Sequence, residues 1–218
     1  MDLQKLISDF KSGKPVIIFD DPKREGEGDI VIHAKFCTPE KIRLLRKDAG
    51  GLVCLCTNEK NALELGLKFY NEQLRNSPHE GLRRIAIERM PYGDEPSFCT
   101  YINSKKVFTG ISDDDRSLTV MEFEKMLAEG KEKEFADLFY APGHVPLLAS
   151  RGLEKRRGHT EMSVELCKMA GMSPAVVICE MLSDNGKALD WKGVLEYSKK
   201  KGFFAIMGSE ILEGLKRF

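Results

Sequence analysis

The ten residues Asp20-Asp-Pro-Lys-Arg-Glu-Gly-Glu-Gly-Asp29 hold five acidic side chains next to Lys23 and Arg24. Glu25, Glu27 and Asp29 are spaced by two, so an extended backbone puts them on one face. Gly26 and Gly28 between them let a ligand approach the main chain closely. Clustered carboxylates suit Mg²⁺, a hard cation that takes oxygen ligands, often only one or two of them from protein. A solvated charged turn would use the same residue types. The place of this segment between two apolar runs favours a site, because loops at strand ends often hold active-site residues.

A second cluster is Arg156-Arg-Gly-His-Thr-Glu161. A helix is expected to start near Thr160. Its first N–H groups lack intrahelical partners and its dipole favours an anion there. Arg156 can add a forked contact to phosphate oxygens, and Gly158 keeps the backbone accessible. His159 has the chemistry of a metal ligand or a general base; the same residues also describe a plain capped helix with solvated arginines. A third cluster, Thr109-Gly-Ile-Ser-Asp-Asp-Asp-Arg116, offers oxygen donors and an arginine but lacks the spacing of a nucleotide loop. A turn with a helix cap accounts for it equally well. Glu180 ends the run Ala175-Val-Val-Ile-Cys-Glu180, and a partly desolvated carboxylate at a strand end suits proton transfer. Cys54 is core by default, with acid–base work as the alternative.

The elements that must position these residues follow from periodicity. Leu3, Leu6, Ile7 and Phe10 repeat at helical spacing up to Gly13. Residues 15–19, 30–34, 52–56, 98–103 and 175–179 read as strands. Thr38-Pro39-Glu40 opens a helix, with Thr as cap and Pro at the first position, that ends at Gly50-Gly51. Residues 119–128 and the stretch through Leu166 to Ala170 read as helices, and a helix, strand and helix fill 191–217. Residues 66–96 read as a long connection with a short helix or strand inside. The expected fold class is α+β: a single domain over 1–218, with a mixed sheet flanked by helices.

The 34 basic and 34 acidic residues cancel, which leaves no electrostatic footprint for nucleic acid or an anionic membrane and opposes self-association only weakly. The six cysteines form no C-x-x-C pair, which argues against zinc. No signal peptide and no membrane-length apolar run is visible. The expected location is the cytoplasm.

Taken in order, Arg24-Glu-Gly-Glu27 with Asp29, Arg46-Lys-Asp-Ala-Gly-Gly-Leu52 with Cys54, Thr109-Gly-Ile-Ser112 with Asp115-Arg116, Gly158-His-Thr-Glu161 and Ile178-Cys-Glu180 resemble the 3,4-dihydroxy-2-butanone 4-phosphate synthases. The resemblance runs from about residue 3 to 212 and points to the stand-alone form, without a GTP cyclohydrolase II domain. It implies a lyase that converts D-ribulose 5-phosphate to 3,4-dihydroxy-2-butanone 4-phosphate and formate in riboflavin biosynthesis, with Mg²⁺ or Mn²⁺. It makes Glu25 and His159 the metal ligands. Arg24, Glu25, Asp29, Arg156, Gly158, His159 and Thr160 would surround the substrate, and Glu180 would be an essential acid or base. Cys54, Asp20 and Glu27 become further proton-transfer candidates, and His144, in Pro142-Gly-His-Val-Pro146, a catalytic one. Thr109, Asp113 and Asp115 would complete the pocket, supplied across a homodimer. Other readings that keep the pocket are a metal-dependent aldolase or isomerase on another phosphosugar and a non-catalytic phosphometabolite sensor.

Overall fold

The computed structural model describes residues 3–215, so the last two residues of the expected 191–217 segment lie outside the described residues. The chain runs α1 (Leu3–Lys11), β1 (Val16–Phe19), β2 (Gly28–His33), α2 (Pro39–Leu44), β3 (Cys54–Thr57), α3 (Glu59–Glu64), α4 (Tyr70–Arg75), α5 (Glu80–Arg84), β4 (Phe98–Ser104), α6 (Asp113–Ala128), α7 (Phe135–Leu138), β5 (Phe139–Ala149), α8 (His159–Met169), β6 (Val176–Glu180), α9 (Trp191–Lys201), β7 (Phe204–Met207) and α10 (Gly208–Leu215). A π-helical turn, Leu45–Ala49, extends α2, and Gly50 closes it in the left-handed conformation.

The strands form one mixed sheet in the order β4-β5-β3-β6-β2-β1-β7. The β1–β7 and β3–β5 pairs are parallel and the others antiparallel. Strand side chains alternate between faces. Ile17, Phe19, Ile30, Ile32, Leu55, Val177 and Cys179 share one core with residues of α2, α6 and α9. Val16, Ile18, Val31, Cys54, Cys56, Val176 and Ile178 share the other with residues of α1, α8 and α10. Because both faces are covered, β1, β2, β3 and β6 read in sequence as continuous apolar runs rather than alternating ones. The same alternation puts Asp29, Cys54 and Glu180 on the α8 face.

The α+β expectation holds, and several local readings are corrected. Thr38 sits at the α2 cap position but makes no side-chain cap bond; Pro39 and the backbone set that start. Helix α6 begins at Asp113, six residues before the expected 119. Ser112 caps it by accepting from the Asp115 N–H, so half of the supposed loop 109–116 is helix. The connection 66–96 contains two short helices, α4 and α5. Strand β5 had no counterpart in the sequence reading, because Pro142, Gly143 and Pro146 argue against a strand. It survives as the neighbour of β4 through a register shift between Ile102 and Asn103. Glycine is required at that point, since a Cβ on Gly143 would lie 2.0 Å from the Ile102 carbonyl carbon.

Candidate active site

The acidic loop closes on its own first residue. Asp20, buried just past β1, accepts from the backbone N–H groups of Glu25 (3.2 Å) and Glu27 (3.0 Å) and from Arg24 Nη1 (3.0 Å). Its own N–H donates to the Glu27 carbonyl. This turn aims Glu25 at the start of α8, where Glu25 Oε2 lies 3.4 Å from His159 Nδ1. His159 is 4% exposed. Its Nε2 stands 3.2 Å from the Glu27 carbonyl and 3.6 Å from Asp29 Oδ1. One ligand atom each of Asp20, Glu25 and His159 lies within 4.8 Å of the others. Two carboxylates and an imidazole fit a divalent cation of the Mg²⁺ or Mn²⁺ kind. Asp29 Oδ1, beside them, is buried without a hydrogen-bond partner, as expected of a group facing a ligand.

The electrostatics are those of a crowded anionic pocket with one buried imidazole. Burial, reinforced by Glu180, Glu25 and Glu27, pushes the Asp29 carboxyl up to about 8, against the opposing pull of His159. Burial alone would lower the His159 imidazolium, but Asp29, Glu25 and Asp20 outweigh it and hold it at about 9. Burial is likewise overcome at Glu25, where His159, Tyr92 and Arg24 hold the carboxyl well below the usual range. Glu27 is raised by burial and by its neighbours Glu25 and Glu180. The site therefore mixes a firmly ionised carboxylate with carboxyls that carry a proton more readily, which acid–base chemistry requires.

The anion-binding side lies one turn away. Gly158 is the cap residue of α8 and its backbone there is extended. A Cβ on Gly158 would fall 2.4 Å from Arg156 Nη1 and 2.7 Å from Arg24 Nη2, so both guanidinium groups stand directly over the helix start. Arg24 Nη2 and Arg156 Nε are buried without hydrogen-bond partners, although each side chain is only 10% exposed. Glu161 reaches back to Gly158 N–H and to Arg156 Nη1 and fixes that corner. Two guanidinium groups over a helix N-terminus make a phosphate-sized receptor. It opens on a cavity of about 550 Å³ lined by Lys23, Arg24, Tyr92, Arg156 and Arg157, among others.

From the sheet, Asp29 and Glu180 face each other as register partners on β2 and β6. Glu180 Oε2 accepts from the Leu52 N–H at 2.7 Å, and the Glu180 carbonyl accepts from the Gly51 N–H. Burial, with Cys56, Glu180 and Asp29 nearby, pushes the Cys54 thiol well up, which favours the thiol over the thiolate. Thr160, buried on α8, lies beside the neighbouring Cys56.

Asp20, Arg24, Glu25, Glu27, Asp29, Cys54, Arg156, Gly158, His159, Thr160 and Glu180 therefore converge on one face of the sheet. The remaining predicted residues form a second group on β5, the loop before α6 and the first turn of α6. There Asn103 contacts His144 Nδ1 at 3.1 Å, and Asp115 accepts from Thr109 Oγ1 and the Gly110 N–H. Asp113 is held by Arg46 and Arg116. Strands β3 and β6 separate β5 from β2, which places the second group about 14 Å across the sheet. Sequence reasoning missed Tyr92, which donates to Glu25 Oε1, and Asp94, which binds Arg24 Nε at 2.7 Å. Only a turn signal, Pro91-Tyr-Gly-Asp94, marks them.

Chemistry of this kind belongs to enzymes that hold a phosphorylated small molecule against a divalent cation. The chain matches the sequence profile of the 3,4-dihydroxy-2-butanone 4-phosphate synthases over residues 4–214, and it belongs to that family. It is 38% identical to the 3,4-dihydroxy-2-butanone 4-phosphate synthase of Archaeoglobus fulgidus, covering 100% of this chain and 95% of that protein. Identity to the synthase of Methanothermobacter thermautotrophicus is 34%, over 99% of this chain and 96% of that one. A solved 3,4-dihydroxy-2-butanone 4-phosphate synthase in complex with two magnesium ions superposes with a TM-score of 0.81 at 26% identity, covering 99% of this chain and 96% of that one.

Proposed function

We propose that this chain, as one catalytic domain, converts D-ribulose 5-phosphate to 3,4-dihydroxy-2-butanone 4-phosphate and formate. The observation that carries the reading is the junction at α8, where His159 completes the acidic cluster one residue from the open helix start under Arg24 and Arg156. A single helix end thus holds the phosphate at one side and the reacting end of the sugar at the other.

Glu25 and His159, with Asp20 beside them, would hold Mg²⁺, or Mn²⁺, which accepts the same donors. When bound, that cation polarises carbonyl and hydroxyl oxygens of the sugar and stabilises the charge of enolisation. The chain's own residues do the rest. Arg24 Nη2, Arg156 and the first N–H groups of α8 bind the phosphate and fix the register of the carbon chain. Enolisation needs a base beside the ketone, and Glu180 and Glu27 flank the cluster from β6 and the loop. The later loss of water and release of formate need acids. Asp29, raised by burial and by Glu180, Glu25 and Glu27, takes up a proton more readily than an ordinary carboxyl and can donate it to a substrate hydroxyl. Cys54, a thiol on β3 on the Glu180 side of Asp29, is a further donor. Asp20 has a second task, since its carboxylate holds the turn that presents Glu25.

The reading includes a homodimer in which Thr109, Asp113, Asp115 and His144 of one copy approach the site of the other. What supports it is that this group stands apart from the metal cluster and is flanked by Phe108, 96% exposed, and Ile111, 55% exposed. A cytoplasmic location belongs to the same proposal, as does action without nucleic acid. Among the described residues no helix is long and apolar enough to cross a membrane.

Formate release from ribulose 5-phosphate, measured with Mg²⁺ and with excess EDTA, tests the reaction. Formate that appears only with metal is the expected result. A folded protein that binds the sugar phosphate and releases none would overturn the assignment.

A further inference from the structure

Residues 88–96 lie outside the motifs that carry the family resemblance, yet they fold over the arginine side of the site. They form a tight turn: Met90 N–H donates to the Asp94 carbonyl at 2.7 Å, and Gly93, in the left-handed conformation, donates to the Met90 carbonyl at 2.8 Å. Arg151 pins the exit of this turn. Its guanidinium lies over the Phe69 ring, donates to the Pro96 carbonyl at 2.8 Å and pairs with Glu95 at 3.1 Å. The turn is therefore held by its own hydrogen bonds and anchored at its exit.

Two side chains point from it into the site. Asp94 accepts from Arg24 Nε at 2.7 Å, and the same oxygen lies 4.0 Å from Arg156 Nε. Tyr92 lies under the Arg24 guanidinium, 4.7 Å from its ring centroid, and its hydroxyl donates to Glu25 Oε1. These contacts set the direction of particular atoms. With Nε on Asp94 and Nη1 on Asp20 and Glu25, the Arg24 plane is fixed and Nη2 alone faces the start of α8. With Oε1 held by Tyr92, Glu25 turns Oε2 toward His159, 3.4 Å away, and the same oxygen pairs with Arg24 Nη1 at 2.6 Å.

We propose that Tyr92 and Asp94 are positioning residues for the proposed reaction: Asp94 orients Arg24, with Arg156 beside it, for the phosphate, and Tyr92 makes Glu25 a one-oxygen ligand for the cation. The inference rests on the proposed function for its substrate, but its binding readouts do not need turnover. Groups that orient ligands in this way are worth about 10- to 100-fold in metal affinity or activity. A rival role for Asp94 makes the opposite prediction. If it only occupied the anion site as a competing charge, its removal would tighten phosphate binding.

The test uses the full chain with Asp94→Asn, Asp94→Ala and Tyr92→Phe, each checked by thermal melting. Inorganic phosphate binding is measured by calorimetry, Mn²⁺ binding by electron paramagnetic resonance, and formate release as KM and kcat. Asp94→Ala is expected to weaken phosphate binding and raise KM by about 10-fold with kcat within about twofold, and Asp94→Asn to restore part of the loss. Tyr92→Phe is expected to weaken Mn²⁺ binding by about 10-fold and leave phosphate binding unchanged. Unchanged or tighter phosphate binding in Asp94→Ala overturns the role of Asp94, and unchanged Mn²⁺ affinity in Tyr92→Phe overturns that of Tyr92. Equal loss of every readout together with a lowered melting temperature reduces both to fold maintenance. Wild-type protein that makes no formate, while the binding shifts appear as stated, overturns the reaction and leaves the positioning intact.

Discussion

Glu180 and His159 illustrate how much one side chain decides here. The Glu180 carboxylate is held by the Leu52 N–H and faces Asp29 on the neighbouring strand, while Arg24 and Arg156 pair with Asp20 and Glu161 instead. Glu180→Gln keeps the shape and the acceptor oxygen, so the protein should melt as wild type while formate release falls by at least about 100-fold, the lower range for a lost general acid or base. Near-normal turnover in a folded Glu180→Gln protein would remove it from the mechanism. His159 gives a different signature. Burial would lower its pKa, but Asp29, Glu25 and Asp20 hold it at about 9 in the metal-free chain, so binding a cation must displace a proton. Apparent Mg²⁺ affinity should therefore fall as pH drops below about 9, by close to tenfold per unit. His159→Ala should bind metal more weakly and with a flatter slope. Calorimetry from pH 7 to 9 reads both, and a wild-type affinity independent of pH would contradict the ligand assignment. At this scale, Glu25, His159 and Glu180 were legible because Glu25 lies in an acidic loop between two apolar runs, His159 opens a helix and Glu180 ends an apolar run. Tyr92 and Asp94 were not, because nothing in a Pro-Tyr-Gly-Asp turn shows which distant arginine it will meet.

The elements were legible where burial is complete on both faces and less so where packing overrides local preference. The runs at 16–19, 30–33 and 176–179 became strands. Strand β5 did not show itself, because its two prolines and Gly143 are tolerated only through the irregular pairing with β4. The same dependence on close approach makes Gly51 a sensitive position. A Cβ there would lie 2.4 Å from Glu180 Oε2 and 2.7 Å from the Glu180 carbonyl oxygen. A backbone atom cannot turn away as a side chain can. Gly51→Ala should cost about 1–3 kcal/mol in urea unfolding, the usual penalty of overpacking, and should lower turnover further by moving Glu180. A variant as stable and active as wild type would show that the β3–β6 junction yields easily. Strand β2 carries its own pH response at its far end. His33 is buried, donates through Nε2 to the Ser173 carbonyl and accepts the Lys35 N–H on Nδ1, which is the neutral form. Burial holds its pKa below the usual 6.5, and Ser173 and Glu124 oppose this only in part. The unfolded chain takes up that proton first as the medium acidifies. Stability should thus be lost as pH falls below 6.5 toward the lower folded value. His33→Gln should melt lower than wild type at pH 7.5 but lose less between pH 7.5 and 5.5. An equally steep loss would assign the acid response to other groups.

At the scale of the molecule, the chain divides its polar chemistry between two places on one sheet. The Asp20, Glu25 and His159 cluster and the arginines over α8 gather where β1, β2 and β6 meet α8, while Thr109, Asp115 and His144 gather at the β4–β5 end, near the start of α6. The order of motifs along the chain identified both groups, but the sheet order that separates them is set by long-range pairing and cannot be read from neighbouring residues. One chain cannot fold the β4–β5 end onto β2 without breaking β3 and β6 from their neighbours. A second copy can bring it there, and a two-fold interface would then build two identical composite sites. The 34 positive and 34 negative charges leave no net repulsion between copies, and the exposed Phe108 and Ile111 offer apolar surface next to the second group. A mixing experiment decides whether the sites are shared. His159→Ala spoils the metal side and Asp115→Ala the other side, so each variant alone should be nearly inactive. Unfolded and refolded together in equal amounts, they should form heterodimers as half of the population. Each heterodimer would place both substitutions in one site and leave its other site intact, so activity should return to roughly a quarter of wild type. Activity no higher than the average of the two variants, in a mixture shown to be dimeric by sedimentation, would mean that each site is built from a single chain and that Asp115 acts where it stands.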